Sequence, residues 1–257
     1  MTQPLVLFER NGPIGVLTLN HPEKRNALSR GVLTAMADRL AEICADRSIK
    51  CLIVRATGTV FSSGHDLNEV RGAAGDELES LFAMCSEVME AIRRLRVPVI
   101  AEVAGIATAA GCQLAATCDL VLASPEATFA TPGVKIGLFC STPAVAVSRA
   151  VPAKKAMEML LTGEPISAAE AERIGLVNRV VPGDELPAAT LALARQIAAV
   201  SGATVALGKR TFYEQISADR PRAYQIASRA MVENAQLPDA DEGIGAFLEK
   251  RTPKWTT

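Results

Sequence analysis

Apolar and polar positions follow two periods along this chain, and the switch between them sets out the elements. Residues 5–9 and 14–19 alternate on either side of the turn Asn11-Gly-Pro13 and predict two strands. A polar loop, residues 21–28, comes next. The spacing of Val32, Leu33, Met36, Leu40 and Ile43 then predicts a helix capped by Ser29. Residues 51–56 form an almost unbroken apolar run, the mark of a strand buried on both faces. A second helix is predicted from Leu78, Leu81, Cys85, Val88 and Ile92, with Asp76 as its cap, and Pro98 ends the connection that follows. Val99, Ile100 and Val103 predict a buried strand ended by Gly105. Small residues (Ala107, Ala109, Ala110, Gly111) lead from it into a short helix over 112–118. Residues 119–123 and 127–130 return to strand. From about Thr142 the strand signal fades. Helices are predicted over 144–150, 153–161, 167–174, 185–200, 204–216, 222–234 and 239–250, with one apolar segment, 176–181, between loops.

Buried strands alternating with helices predict an α/β chain in which strand-strand-helix recurs three times. Without a flexible linker, one domain is expected over residues 1–257, divided into a core (1–141) and a helical C-terminal subregion (142–257). At 257 residues and 49% hydrophobic, the chain can bury a sizeable core. Its 27 Lys and Arg nearly cancel its 28 Asp and Glu, which gives no electrostatic reason to expect nucleic acid or an anionic membrane as partner. Aromatic content of 4% argues against a base-stacking platform. None of the six cysteines has Cys-x-x-Cys spacing, so they read as buried thiols in a reducing compartment. With only His21 and His65, a zinc site is not expected. No apolar run reaches the length of a membrane span, and no Arg-rich leader precedes the first strand. A soluble, cytoplasmic protein is the expectation.

Candidate chemistry lies in two glycine-bearing turns. A strand passing through Gly105-Ile-Ala-Thr-Ala-Ala-Gly111 into a helix leaves backbone N–H groups free, adds the positive end of the helix dipole, and lets an oxygen approach closely. Such a turn can hold an oxyanion, or it can simply pack tightly. Val60-Phe-Ser-Ser-Gly-His-Asp-Leu67 also follows a buried strand and carries a glycine in a polar turn. Two such turns can each give one N–H to the same oxygen.

Arg25-Asn-Ala-Leu28, Phe61-Ser-Ser-Gly-His-Asp-Leu67, Gly105-Ile-Ala-Thr-Ala-Ala-Gly-Cys-Gln113, Cys118-Asp119 and Phe129-Ala-Thr-Pro132, in this order, resemble the enoyl-CoA hydratase/isomerase (crotonase) superfamily. The resemblance spans essentially the whole chain. It implies the ClpP/crotonase spiral of β-β-α units with a C-terminal helical oligomerisation region, forming a trimer or a dimer of trimers. It implies an acyl-CoA thioester as ligand, no separate cofactor, no metal, and a lyase of enoyl-CoA hydratase type in fatty-acid metabolism. The oxyanion donors would be the backbone N–H groups of His65 and Ala110. Where the family usually has three glycines, this chain has Ala109-Ala110-Gly111, and alanine still offers its N–H if φ stays negative.

The family's hydratases carry two glutamates where this chain has Gln113 and Gly133. Gln113 can orient a water but not exchange its proton, while Gly133 is expected to leave room for water, a small anion or a bulkier acyl group. General acid–base help is worth about 10² to 10⁴-fold, so efficient hydration is not expected unless another group replaces it. Cys140 stands where the related dihydroxynaphthoyl-CoA synthases have an aspartate. It would serve as base or nucleophile if its pKa were lowered, and otherwise is an inert packed thiol. Ser141 is a weaker candidate or a helix cap. The His65 imidazole would titrate near neutrality. Asp66 is expected to anchor its loop and Asp119 to be structural; Glu102 is either a buried acid of raised pKa or faces solvent or another subunit. The CoA groove would be lined by Arg25, Ala27, Leu28, Ser63, Gly64, Leu67 and Gly111, with Lys24, Lys250 or Arg251 near phosphates. A non-catalytic acyl-CoA-binding or regulatory protein, and a scaffold built on the helical tail, remain as alternatives.

Overall fold

A computed structural model describes residues 3–256. The first hairpin is β1 (Val6–Asn11) and β2 (Ile14–Leu19), and α1 (Arg30–Ala45) follows. The Ser29 hydroxyl accepts from the Val32 N–H, and the five residues that predicted α1 are the five it buries. Then come β3 (Cys51–Ala56), β4 (Val60–Ser62), the single turn α2 (Leu67–Val70) and α3 (Gly75–Arg94). The cap of α3 is Ala74 rather than Asp76: the Glu77 carboxylate reaches back to the Ala74 N–H at 2.9 Å, and Asp76 stands in the first turn. The middle of the chain continues as β5 (Val99–Val103), β6 (Ile106–Thr108), α4 (Ala110–Thr117), β7 (Leu120–Ala123), β8 (Thr128–Ala130) and α5 (Ser141–Ala150).

Strand-strand-helix thus occurs four times, once more than predicted, and in the last three units the strands sort by position. First strands join β1 and β2 in a six-stranded sheet that ends in β10 (Arg179–Val180), in the order β1-β2-β3-β5-β7-β10. Second strands form a smaller one that ends in β9 (Ile166–Ser167), in the order β4-β6-β8-β9. The β3-β5-β7 and β4-β6-β8 pairings are parallel. The chain therefore winds as a spiral of β-β-α units, the crotonase architecture. The 106–108 segment, expected as part of a small-residue turn, is a strand of the second sheet, and α4 starts at Ala110, two residues earlier than predicted. Short strands of Ala and Thr carry too weak an apolar period to be seen alone.

Past the core lie α6 (Ala153–Thr162), β9 (Ile166–Ser167), α7 (Ala168–Arg173), β10 (Arg179–Val180), α8 (Leu186–Ala198), α9 (Gly202–Gln215), α10 (Arg220–Ala235) and α11 (Pro238–Leu248). These agree with the predicted helices to within two residues at most ends. One apolar core fills the space between the large sheet, α1, α3 and α4. A second forms where α8 covers the other face of the sheet. There Glu102 lies buried, close to Thr190, and burial raises its carboxyl pKa. This settles its two expected placements in favour of the buried acid.

Candidate active site

Two glycines without room for a side chain bring the turns together. A Cβ on Gly111, in the first turn of α4, would stand 2.2 Å from the Ser62 carbonyl oxygen, so α4 lies directly on the end of β4. At Gly64, where φ is +88°, a Cβ would stand 2.8 Å from Ala109 Cβ and 3.0 Å from the Ala110 nitrogen. The residue preceding His65 therefore rests against the residue that begins α4. Among the described residues, neither the His65 nor the Ala110 N–H donates a hydrogen bond to any protein acceptor. An unpaired amide beside a helix start is a donor awaiting an acceptor.

The first turn is held from three sides. The Leu28 N–H donates to the Gly64 carbonyl at 2.7 Å and the Ser63 N–H to the Arg25 carbonyl at 3.1 Å. The Gly64 N–H reaches the Ser62 hydroxyl at 3.3 Å. Arg25 and Asn26 both have positive φ. Their loop is fixed by the buried Asn26 amide, which accepts from the His21 N–H at 2.8 Å and donates to the Thr57 and Val60 carbonyls at 2.9 and 2.7 Å. Asp66 caps α2 by accepting from the Asn68 N–H at 2.9 Å, the anchoring role expected of it.

Ala109, the residue before the second donor, has φ +52° and ψ −120°. The condition of negative φ therefore holds at Ala110 but fails at Ala109, a conformation that favours glycine and costs alanine about 1–3 kcal/mol. Surrounding bonds impose it: the Ala109 N–H donates to the Ala130 carbonyl at 2.9 Å, and its carbonyl accepts from the Gln113 N–H at 3.1 Å.

The acid–base side differs from expectation. Gly133 does not leave an open space: a Cβ there would stand 2.3 Å from the Leu138 carbonyl oxygen and 2.8 Å from Cys140 Sγ. The Gly133 N–H donates to that sulfur at 3.3 Å. Burial pushes the Cys140 thiol above its ordinary pKa, with the Gly133 N–H opposing. The lowered pKa that a base or nucleophile needs is not met, and the packed-thiol reading is the one that fits. Ser141 is the first residue of α5 and its hydroxyl does not cap it; Cys140 holds the cap position.

Gln113 is buried, and its Oε1 has no partner among the described residues. The same holds for both His65 ring nitrogens and for Thr131 Oγ1. The His65 ring packs edge-on to Phe82 at 5.2 Å. Burial lowers its pKa, with the Leu28 backbone and the Glu69 charge acting the other way. Thr131 belongs to the Phe129-Ala-Thr-Pro132 motif and directly follows β8.

Residues read as groove-lining divide by exposure. Arg25 and Leu67 are exposed, Ser63 is half-buried, and Ala27 and Leu28 are buried in the loop that carries the His65 turn. Lys24 and Lys250 are exposed, whereas the Arg251 guanidinium is committed to Glu242 and Glu249.

Beyond Gln113 a cavity of about 780 Å³ opens between α3, α4, α5 and α9. On its wall, Asp119 accepts from Lys209 Nζ and the Val99 N–H, both at 2.7 Å, and from the Tyr213 hydroxyl at 2.8 Å. Lys209 also donates to the Ile92 and Val97 carbonyls. Asp119 is structural, as expected, and its partners lie about 90 residues away in sequence.

The spiral of β-β-α units is the architecture of the enoyl-CoA hydratase/isomerase family. The chain belongs to that family, matching it over residues 9–257. It is 51% identical over 241 residues to the human protein named enoyl-CoA hydratase domain-containing protein 3, mitochondrial, covering 93% of this chain and 80% of that one. It is 33% identical over 258 residues to a probable enoyl-CoA hydratase of Mycobacterium tuberculosis, covering 100% and 99%. Among solved structures, an enoyl-CoA hydratase of Mycobacterium smegmatis superposes with a TM-score of 0.97 at 48% identity (99% of this chain, 100% of that one). The human domain-containing protein 3 gives 0.95 at 50% identity (98% and 100%). The cytoplasmic expectation is overturned by these relatives: the rat, mouse, zebrafish and human proteins are all named mitochondrial. That expectation rested on reduced thiols and the lack of a leader-like pattern, and reduced thiols do not distinguish one reducing compartment from another.

Proposed function

We propose that the chain binds an acyl-CoA thioester with the carbonyl oxygen between the His65 and Ala110 amides, so that negative charge on that oxygen is stabilised and the α-carbon is acidified. The observation that carries this reading is the pair of unpaired N–H groups on turns held together by Gly64 and Gly111. One such donor is worth about 3 kcal/mol of barrier. The dipole of α4 adds to the Ala110 side. Gln113, one helical turn further on, holds a water through its unpaired Oε1 and passes no proton itself. Turnover as a hydratase is therefore slow, by about 10² to 10⁴-fold for the missing acid–base help.

A second reading, acyl-CoA binding without turnover, is favoured by the filled space at Gly133 and the raised thiol of Cys140. The exposed Tyr224, Met231, Ile244, Phe247 and Leu248 of α10 and α11 support a homo-oligomer, as trimer or hexamer, measurable by light scattering. The relatives' names support a mitochondrial setting. Incubation with saturated and unsaturated acyl-CoAs, with binding read by calorimetry and products by mass spectrometry, separates the readings. Site-dependent hydration of an enoyl-CoA supports the first; binding across the panel without product supports the second. Failure to bind any acyl-CoA removes both.

A further inference from the structure

The cavity beyond Gln113 has apolar walls from Met89, Val145, Leu176 and Phe212, and it also presents two arginines, Arg93 and Arg149. Neither has a carboxylate partner among the described residues. The Arg93 guanidinium lies over the Tyr213 ring at 4.4 Å, which fixes its plane and leaves its N–H edge free. Arg149 donates only to the Val145 carbonyl, one turn back on α5, at 2.8 Å. Two acids share the lining. Asp119 is fully engaged by Lys209, Tyr213 and the Val99 amide, and Glu90 lies 4.0 Å from Arg94. The uncommitted charge of the cavity is therefore positive. Gln113 shares this lining, buried, with an Oε1 unpaired among the described residues, three residues along α4 from Ala110 and so about 4.5 Å along the axis.

We propose that this cavity receives the acyl part of the thioester and selects acyl groups whose far end is a carboxylate, bound by Arg93 and Arg149. The inference rests on the acyl-CoA reading above. The apolar walls take the methylene chain, and the two guanidiniums take the terminal anion, which an unsubstituted alkyl chain would leave unpaired. A pocket of this size holds a medium-length acyl group.

Calorimetric titration of the full chain with hexanoyl-CoA against adipoyl-CoA, and octanoyl-CoA against suberoyl-CoA, tests this. The carboxylate-ended member of at least one pair should bind about tenfold tighter. That ratio should collapse in Arg93→Gln/Arg149→Gln and persist in the corresponding double Lys variant. If the double Gln variant does not fold, exposed Arg149→Gln alone should lower the ratio. Equal affinity within both pairs, or an unchanged ratio in the Gln variants, overturns the proposal while leaving the acyl-CoA reading intact. Failure of all four thioesters to bind overturns that reading as well.

Discussion

Two parts of the candidate site differ in what they are made of. On one side lie the His65 and Ala110 amides, main-chain groups set by Gly64, Gly111 and a strained Ala109. On the other lie Gln113, Gly133 and Cys140: an amide, a position without a side chain, and a thiol whose pKa burial raises. Backbone donors depend on how closely two elements approach, and a single added methyl is enough to separate them. Acid–base groups depend on residue identity, and there the surrounding loop has closed into the space a side chain would need. Packing thus fixes the approach of the two turns, and packing also fills the space beside Gly133.

The comparison breaks most sharply at Gly111. Gly111→Ala places a carbon against the Ser62 carbonyl and should cost about 3 kcal/mol, lowering the denaturation midpoint and abolishing acyl-CoA binding. Binding at wild-type strength would show that the amide side does not depend on this contact. A next, smaller effect concerns the other side. Adding Gly133→Glu to Gln113→Glu should give no hydratase activity beyond the single variant and should cost about 2 kcal/mol, because the new side chain meets Leu138 and Cys140. A double variant with strongly increased hydration of crotonyl-CoA would mean the loop yields readily.

Smaller still, Ala109→Gly relieves a positive φ at some cost in unfolded-chain entropy and should stabilise by about 1 kcal/mol, read as a higher Tm. A lower Tm would mean the strain is not there. Least in size is a change of slope. Glu102 keeps its proton more tightly in the folded chain than when unfolded. Its contribution to stability is full below the ordinary value of 4.5 and is lost as pH rises through the raised one. Glu102→Gln should flatten that decline, which is at most about 1.4 kcal/mol per pH unit. An unchanged slope in denaturant titrations would place Glu102 in contact with water.

What the sequence made legible follows from range. α1 was readable down to its five buried positions because a 3.6-residue period repeats within one element. The two turns were readable because glycines and small residues sit at fixed offsets from buried strands. The filled space at Gly133 was not, since it depends on where the Leu138 carbonyl turns back. Nor was the Ala109 conformation, which is imposed by a bond to Ala130 across the smaller sheet. Asn26 and the side-chain partners of Asp119 belong to the same group: their longest bonds cross 34 and 94 positions. Local pattern shows which residues are buried and says little about what they meet.

The Asp119 carboxylate takes donors from β5, from Lys209 and from Tyr213, with the Lys209 and Asp119 side chains only 6% and 15% exposed. A fragment stopping before α9 would keep every strand of both sheets yet leave the Asp119 carboxylate with only the Val99 N–H of its three donors. Shortened versions of this chain should therefore fail abruptly, and not in proportion to the length removed, because breaking such a pair by deleting one member costs about 3–5 kcal/mol. The helical half is in this sense a counter-ion for the spiral half, and the two are expected to unfold as one unit.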